Sequence, residues 1–311
     1  MAVKPGRGRR SDQPEPRVQG SGNMTAVDGI VPAVQVLPTV PLPARAAHTL
    51  MPYLIEPAHL HRAARACMRR CSAPGIDGVT WAQYRRGLRE RLAELAAQLR
   101  DGTWRPTPLR EVTIDAFTGR QFVAGVPTAE DRIVHRAIRA AADPILEHMA
   151  YEPWVSGYRP SRNRLTAVRH AAAYLTSHHW IIDVDVRSAS AGGTTTQVVN
   201  WLATYVHDGT FLARVRTAID GFPTPLIPGT GLWPMLFNLR LTQVDRQLTD
   251  LPVVRFADNY VAFARDETRA AAVLARIRSA LATVGLTANP TKSRIRQPGS
   301  TNPEDLFLIG G

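Results

Sequence analysis

The stretch Trp180-Ile181-Ile182-Asp183-Val184-Asp185-Val186 carries the reading of the whole chain. Its apolar residues describe a buried strand, and two carboxylates interrupt it. Side chains two apart on a strand share a face, so Asp183 and Asp185 point the same way. Burying an isolated carboxylate costs roughly several kcal/mol or more, so each needs a cationic partner or a metal ion. The residues alone leave both readings open. A further acidic position lies in an apolar hairpin running from Val253 to Ala264, with Val253, Val254 and Phe256 on one arm and Val261 and Phe263 on the other. Asp258-Asn259 is placed as its two-residue turn, for which these residue types are favoured. On its own, Asp258 reads as a turn residue.

Working outward, Pro74-Gly75-Ile76-Asp77-Gly78 makes a turn before a helix. In that helix Trp81, Tyr84, Leu88, Leu92, Leu95 and Leu99 recur at steps of three and four, and Asp101-Gly102 ends it. Two short strands flank the hairpin turn Phe117-Thr118-Gly119. Thr128 starts the next helix with Glu130 and Asp131 in its first turn, where acidic groups suit the helix dipole. Pro144 is expected to bend or split it. Another helix covers about Arg164 to Thr176. Helical segments follow near 194–206, 211–219 and 232–249, and a last one runs from Glu267 to about Val284. Strands mixed with helices in no strict alternation, without a repeat, predict an α+β fold.

Residues 1 to about 46 hold seven prolines, several glycines and the run Arg7-Gly8-Arg9-Arg10, with no hydrophobic period. They read as a disordered basic arm, and residues 47–311 as the folded domain. The chain has 311 residues, 44% of them hydrophobic, enough to bury a core. No apolar run approaches the ~20 residues of a membrane helix, and the Met1 region lacks the apolar stretch of a signal peptide. The expectation is a cytoplasmic protein with no membrane partner. Two cysteines, Cys67 and Cys71, make neither a disulfide framework nor a zinc site, and at four apart on a helix they read as core or rim thiols. Lys+Arg number 38 against 26 Asp+Glu, a formal charge of +12, which points to a polyanionic partner. Only Lys4 and Lys292 are lysines. Arginine codon bias explains most of that, although the planar arginine fork also suits bidentate phosphate contact.

Taken in order, the motifs say more than any one of them. A strand with Asp-x-Asp, a hairpin with aspartate at its turn, then Gly285-Leu286-Thr287-Ala288-Asn289-Pro290-Thr291-Lys292 resemble the reverse transcriptase family, in particular the bacterial group II intron enzymes. The same resemblance takes in Pro74–Thr80, Gly125–Val134, Gly157-Tyr158-Arg159-Pro160 and the closing Phe307-Leu308-Ile309-Gly310-Gly311, covering about residues 50 to 311. It implies a right-hand polymerase with fingers over about 47–178 and palm over about 179–311, the palm an antiparallel sheet with packed helices. It implies an RNA-directed DNA polymerase, a nucleotidyltransferase of mobile elements, that adds deoxynucleotides to a primer on an RNA template with two Mg²⁺ ions. Asp185 and Asp258, with the Val186 carbonyl, would hold the metal, Asp183 would support them, Asn259 would stand beside them, and the Lys292 ammonium could protonate the leaving phosphate. Arg120, Arg132, Ser190, Gly229 and Asn238 fall at positions that contact nucleotide or template.

The sequence departs from the family at several of these places. Asn259 stands where motif C has a second aspartate, which weakens the metal site. Ala189 and Ser190 replace two aromatics, the second of which excludes a ribose 2′-hydroxyl. Motif B reads Ile227-Pro228-Gly229 and Trp233-Pro234-Met235-Leu236-Phe237-Asn238 where Pro-Gln-Gly and Ser-Pro-Leu-Leu-Ala-Asn are usual. Phe122 occupies an arginine slot in the fingers, while Arg120 can stand for the usual lysine. Gly311 comes directly after motif E, so a thumb is expected from a partner chain. These departures support a second reading: an inactive scaffold that binds RNA, or a truncated remnant.

Overall fold

In the computed structural model, residues 47–115 and 121–300 are described. The basic arm, the Phe117-Thr118-Gly119 turn with Arg120, and the closing Phe307–Gly311 segment lie outside them. The fold is α+β with antiparallel sheets.

The helical half comes first. Helices α1 (Met51–Leu54) and α2 (Pro57–Met68) lead into α3 (Trp81–Tyr84) and α4 (Leu88–Asp101). The continuous helix expected from Trp81 to Leu99 is thus two helices. They separate at Gly87, although the apolar period runs through the break and Tyr84, Leu92, Leu95 and Leu99 are all buried in one core. Cys67 lies on α2, but that helix stops at Met68, so Cys71 is not on it. Strands β1 (Arg110–Asp115) and β2 (Gln121–Val126) pair antiparallel, with Arg110 opposite Val126. Helix α5 (Ala129–Met149) begins at Thr128, whose hydroxyl accepts the Asp131 N–H at 3.2 Å. It runs unbroken past Pro144. Ala141, Ala142, Ile145 and Leu146 on both sides of the proline are buried, so packing holds the two halves in line.

Helix α6 (Arg164–Leu175) opens on a capping box at Asn163. Strand β3 (Trp180–Arg187) is followed by α7 (Thr195–Ala203), α8 (Gly209–Ile219) and α9 (Trp233–Asp245). The hairpin β4 (Val253–Phe256) and β5 (Asn259–Ala264), helix α10 (Glu267–Ala282) and the short strands β6 (Thr287–Ala288) and β7 (Arg294–Arg296) complete it. β5 pairs with β4 on one side and β3 on the other, and the far edge of β3 takes both β6 and β7.

β3 obeys its period of two. Ile182, Val184 and Val186 bury in a core with residues of α9 and α10, while Ile181 faces the other way into a small cluster with Ala167 of α6, Val254 and Phe263. Asp183 and Asp185 share that second face.

The hairpin turn sits one residue earlier than Asp258-Asn259. Phe256 pairs with Asn259, leaving Ala257-Asp258 as the loop, and Ala257 is in the left-handed region at φ +56°. Two neighbours account for the shift. Arg255 donates from Nη1 to the Ala257 carbonyl at 2.9 Å, and Gly157 lies so close that a Cβ there would collide with the Ala257 backbone nitrogen.

Candidate functional site

The sheet brings the two acidic segments together. Asp185 pairs with Asn259, and the Val186 N–H donates to the Asp258 carbonyl at 3.3 Å. The N–H and C=O of one strand residue lie on the same edge, so the Val186 carbonyl also turns toward the Ala257-Asp258 loop. Burial raises the Asp258 carboxyl above the usual range, and the negative charge of Asp185 raises it further. Lys292 and Arg255 oppose that shift.

A second segment reaches Asp185 from the other edge of β3. Asn289 donates its backbone N–H to the Asp185 carbonyl at 2.7 Å and its Nδ2 to Oδ1 at 3.0 Å. Ser293 Oγ lies 3.3 Å from the Asp185 N and 3.4 Å from its carbonyl oxygen. Lys292 Nζ stands 3.5 Å from Oδ2. Asp185, Asp258 and Lys292 therefore share one neighbourhood. Asn259 opens β5 with its side chain exposed, and its Nδ2 lies 3.5 Å from Asp258 Oδ1. Asp183 is not part of the group. Arg296 Nε lies 2.8 Å from its Oδ2 and Arg294 Nε 3.7 Å, so its charge is met across β7. For Asp183 the ion pair is the observed outcome.

The remaining expected positions divide. Ser190 accepts from Trp233 Nε1 at 3.0 Å, and Trp233 stacks edge-on against Tyr158 with ring centroids 5.0 Å apart. Where an aromatic was expected at 190 there is serine, and where serine was expected at 233 there is tryptophan; the two side chains bond to each other. Gly229, at φ +93°, lies against the Gly125 carbonyl, closer than any Cβ allows, while Gly125 donates to the Pro228 carbonyl at 2.8 Å. It ties the α8–α9 loop to the β1–β2 hairpin. Arg132 donates to Ser72 Oγ at 2.7 Å and the Ala73 carbonyl at 2.6 Å, beneath the Trp81 ring. Asn238 is in the core and does not reach a surface. It is fully buried, its Nδ2 donates to the Gly157 carbonyl at 2.9 Å, and its Oδ1 accepts from Arg255 at 3.0 Å.

That last bond belongs to a network which sequence reasoning missed. Arg255 and Asp245 are both fully buried and joined at 2.6 Å between Nη2 and Oδ2, with Arg255 Nε on the same carboxylate at 3.0 and 3.1 Å. Tyr260 donates its hydroxyl to Asp245 at 2.9 Å. The guanidinium thus anchors the turn that carries Asp258, because its Nη1 holds the Ala257 carbonyl. Two signals were available: an arginine inside an otherwise apolar hairpin arm, and a lone aspartate closing an apolar helix.

The donor set at Asp185 and Asp258 is hard oxygen, with the Val186 carbonyl nearby. Among the described residues no cluster of three or more His, Cys, Asp or Glu side chains surrounds a common point. Mg²⁺ is often held by one or two carboxylates together with water and substrate phosphate, so the residues present fit that ion. A divalent cation would also relieve the repulsion that raises Asp258.

Comparison with known proteins gives distant relations. No family model matches the chain. Protein YkfC of Escherichia coli (strain K12) is 27% identical over 66% of this chain and 58% of its own length. Group II intron-encoded protein LtrA of Lactococcus lactis subsp. cremoris is 26% identical over 99 residues, 32% of this chain and 16% of LtrA. A chain of the partial Cas6-RT-Cas1--Cas2 complex shares 20% identity, with a TM-score of 0.43, over 76% of this chain and 42% of that one. The chain thus spans little more than half of YkfC and under a fifth of LtrA. The relation established is distant similarity to a group II intron-encoded protein. No helix among the described residues is long and apolar enough to cross a membrane.

Proposed function

We propose that the chain is a reverse transcriptase domain that extends a nucleic-acid primer on an RNA template from deoxynucleotides. The observation that carries this reading is the convergence of Asp185 and Asp258, with Lys292 3.5 Å from Asp185, beside the β4–β5 turn of an antiparallel sheet. The order of motifs and the similarity to a group II intron-encoded protein support it.

In this account Asp185, Asp258 and the Val186 carbonyl hold Mg²⁺, and two such ions when bound would activate a primer 3′-hydroxyl and stabilise the leaving pyrophosphate. The chain does the rest. Asn289 fixes the Asp185 carboxylate through Oδ1, leaving Oδ2 for the ion and for Lys292. The Lys292 ammonium balances the two carboxylates and carries a proton to the leaving phosphate. Arg255 keeps the Asp258 loop against β3. The palm is the five-stranded sheet with α9 and α10, and the fingers include the β1–β2 hairpin.

Primer extension on an RNA template with Mg²⁺ tests the proposal. The expected result is product from the wild type and none from Asp258→Ala. No product at high protein concentration, or equal product from the variant, would end it. A specific observation favours a second reading, an RNA-binding scaffold without catalysis: Asn259 supplies no charge at the metal position, and Asn238 is sealed in the core. Retained RNA binding without extension would select it.

A further inference from the structure

A cavity of about 680 Å³ opens between the segment that follows β3, helix α7 and the turn that leaves α10. That volume falls in the range of small-ligand sites, roughly 300–1,000 Å³. Neither Asp185, Asp258 nor Lys292 lines it, and among the described residues no aspartate or glutamate does.

One wall is Arg240 of α9, which is only 4% exposed. Its Nη1 donates to the Ala189 and Ala191 carbonyls at 3.2 and 2.5 Å, and its Nη2 to the Val284 carbonyl at 3.1 Å. These bonds spend three of the five N–H donors of a guanidinium and leave two. One of those is on Nε, which is buried without a hydrogen-bond partner among the described residues. Burial lowers the proton affinity of Arg240, and no neighbouring carboxylate offsets it. Arg255, equally enclosed, is matched by Asp245. A buried cation lacking a counter-charge is costly. The three carbonyls therefore explain where Arg240 sits, and its charge is left for an anion.

The other lining residues narrow the ligand. Arg187 ends β3 opposite Thr287, is exposed, and has no ion-pair partner among the described residues. Gly192 and Gly193, at φ +70° and +83°, have no atom within 4 Å of where a Cβ would stand, which leaves that rim open. Gln197 and Trp201 lie four apart on one face of α7, and both line the cavity. Half-buried Trp201 brings an aromatic ring, and Val284 and Leu286 bring aliphatic surface. Two arginines suit a phosphate, and an indole face suits a stacked base. A bare inorganic anion would occupy a small part of the space and leave the ring unused.

We infer that this cavity binds a nucleoside phosphate, with the phosphate between Arg187 and Arg240 and the base against Trp201. The site is separate from the carboxylates and does not rest on the polymerase reading. With no carboxylate in its lining, it needs no divalent ion.

The test is isothermal titration calorimetry of the full chain, in EDTA, with each of the four ribonucleoside monophosphates. At least one should saturate, with its parent nucleoside and inorganic phosphate each about tenfold weaker or more. Arg187→Ala removes an exposed side chain, so folding is not at stake. It should weaken binding about tenfold, the loss of one charged hydrogen bond. Arg240→Gln, checked for folding by circular dichroism, should weaken it further, and Asp258→Asn should leave it unchanged. Absence of binding by the wild type, or unchanged affinity in Arg187→Ala, would overturn the inference. Inorganic phosphate binding as tightly as every nucleotide would refute the nucleoside. Binding that appears only with Mg²⁺ and vanishes in Asp258→Asn would move the nucleotide to the carboxylates, overturning this inference while supporting the polymerase reading. Failure of primer extension, in contrast, would leave this site standing.

Discussion

Replacing Asp245 with alanine should be among the most damaging single changes in the sheet half of the protein. Arg255 and Asp245 have no exposed side-chain surface, so the variant leaves a guanidinium in the core with no counter-charge. Removing one partner of such a pair costs about 3–5 kcal/mol. The Tyr260 hydroxyl loses its acceptor at the same time, adding about 1 kcal/mol. For a domain of this size each kcal/mol lowers Tm by about 2–4 °C, so a fall of roughly 10 °C or more is expected. The double variant Asp245→Leu/Arg255→Met removes both charges. It should recover part of the loss, because a buried pair replaced by packed apolar groups is often neutral. What remains is about 3 kcal/mol, for the Tyr260 hydroxyl that still lacks its acceptor and for the Asn238 and Ala257 oxygens that Arg255 leaves without a donor. Urea and thermal unfolding by circular dichroism measure all three species. A cost below about 1 kcal/mol for Asp245→Ala, or a double variant no more stable than Asp245→Ala, would refute the reasoning.

Other outcomes follow from the same geometry. Burial raises the Asp131 carboxyl to about 6 and lowers the His135 imidazole to about 4. The raised carboxyl stabilises the fold when protonated, a contribution lost as pH rises from about 4 to 6; the lowered imidazole stabilises it when neutral, a contribution lost as pH falls from about 6.5 to 4. The two slopes oppose, so Asp131→Asn should expose the histidine and make urea stability fall with acidification by about 2–3 kcal/mol, whereas stability flat across that range would contradict the assignment. Lys292 lowers the raised Asp258 carboxyl, so Lys292→Ala should move the acid midpoint of Mn²⁺ binding to higher pH, with Lys292→Arg restoring it; an unmoved midpoint would count against the contact.

The fold was legible where period and punctuation agreed. β3, α6, α10 and the Thr128 start of α5 fall where apolar spacing and caps put them. The misses have local causes. At Gly87 the apolar rows continue across a broken backbone, because α3 and α4 feed the same core. At Pro144 packing on both sides overrode the breaker. The turn at Ala257-Asp258 could not be read from its own residues, since Arg255 and Gly157 set it from outside. At the site, motif order gave Asp185, Asp258 and Lys292 as a group, and the structure places them together. It could not show that Asn238 bonds inward, which depends on Arg255, nor that the changes at 190 and 233 meet in one hydrogen bond.

The most direct measurement is Mn²⁺ binding followed by electron paramagnetic resonance, because it asks whether two acidic groups from different strands serve one cation. The account predicts saturable binding that Asp185→Asn and Asp258→Asn each weaken at least tenfold, while Asp183→Asn, already held by Arg296, changes it little. Binding that survives either of the first two substitutions unchanged would contradict a shared site.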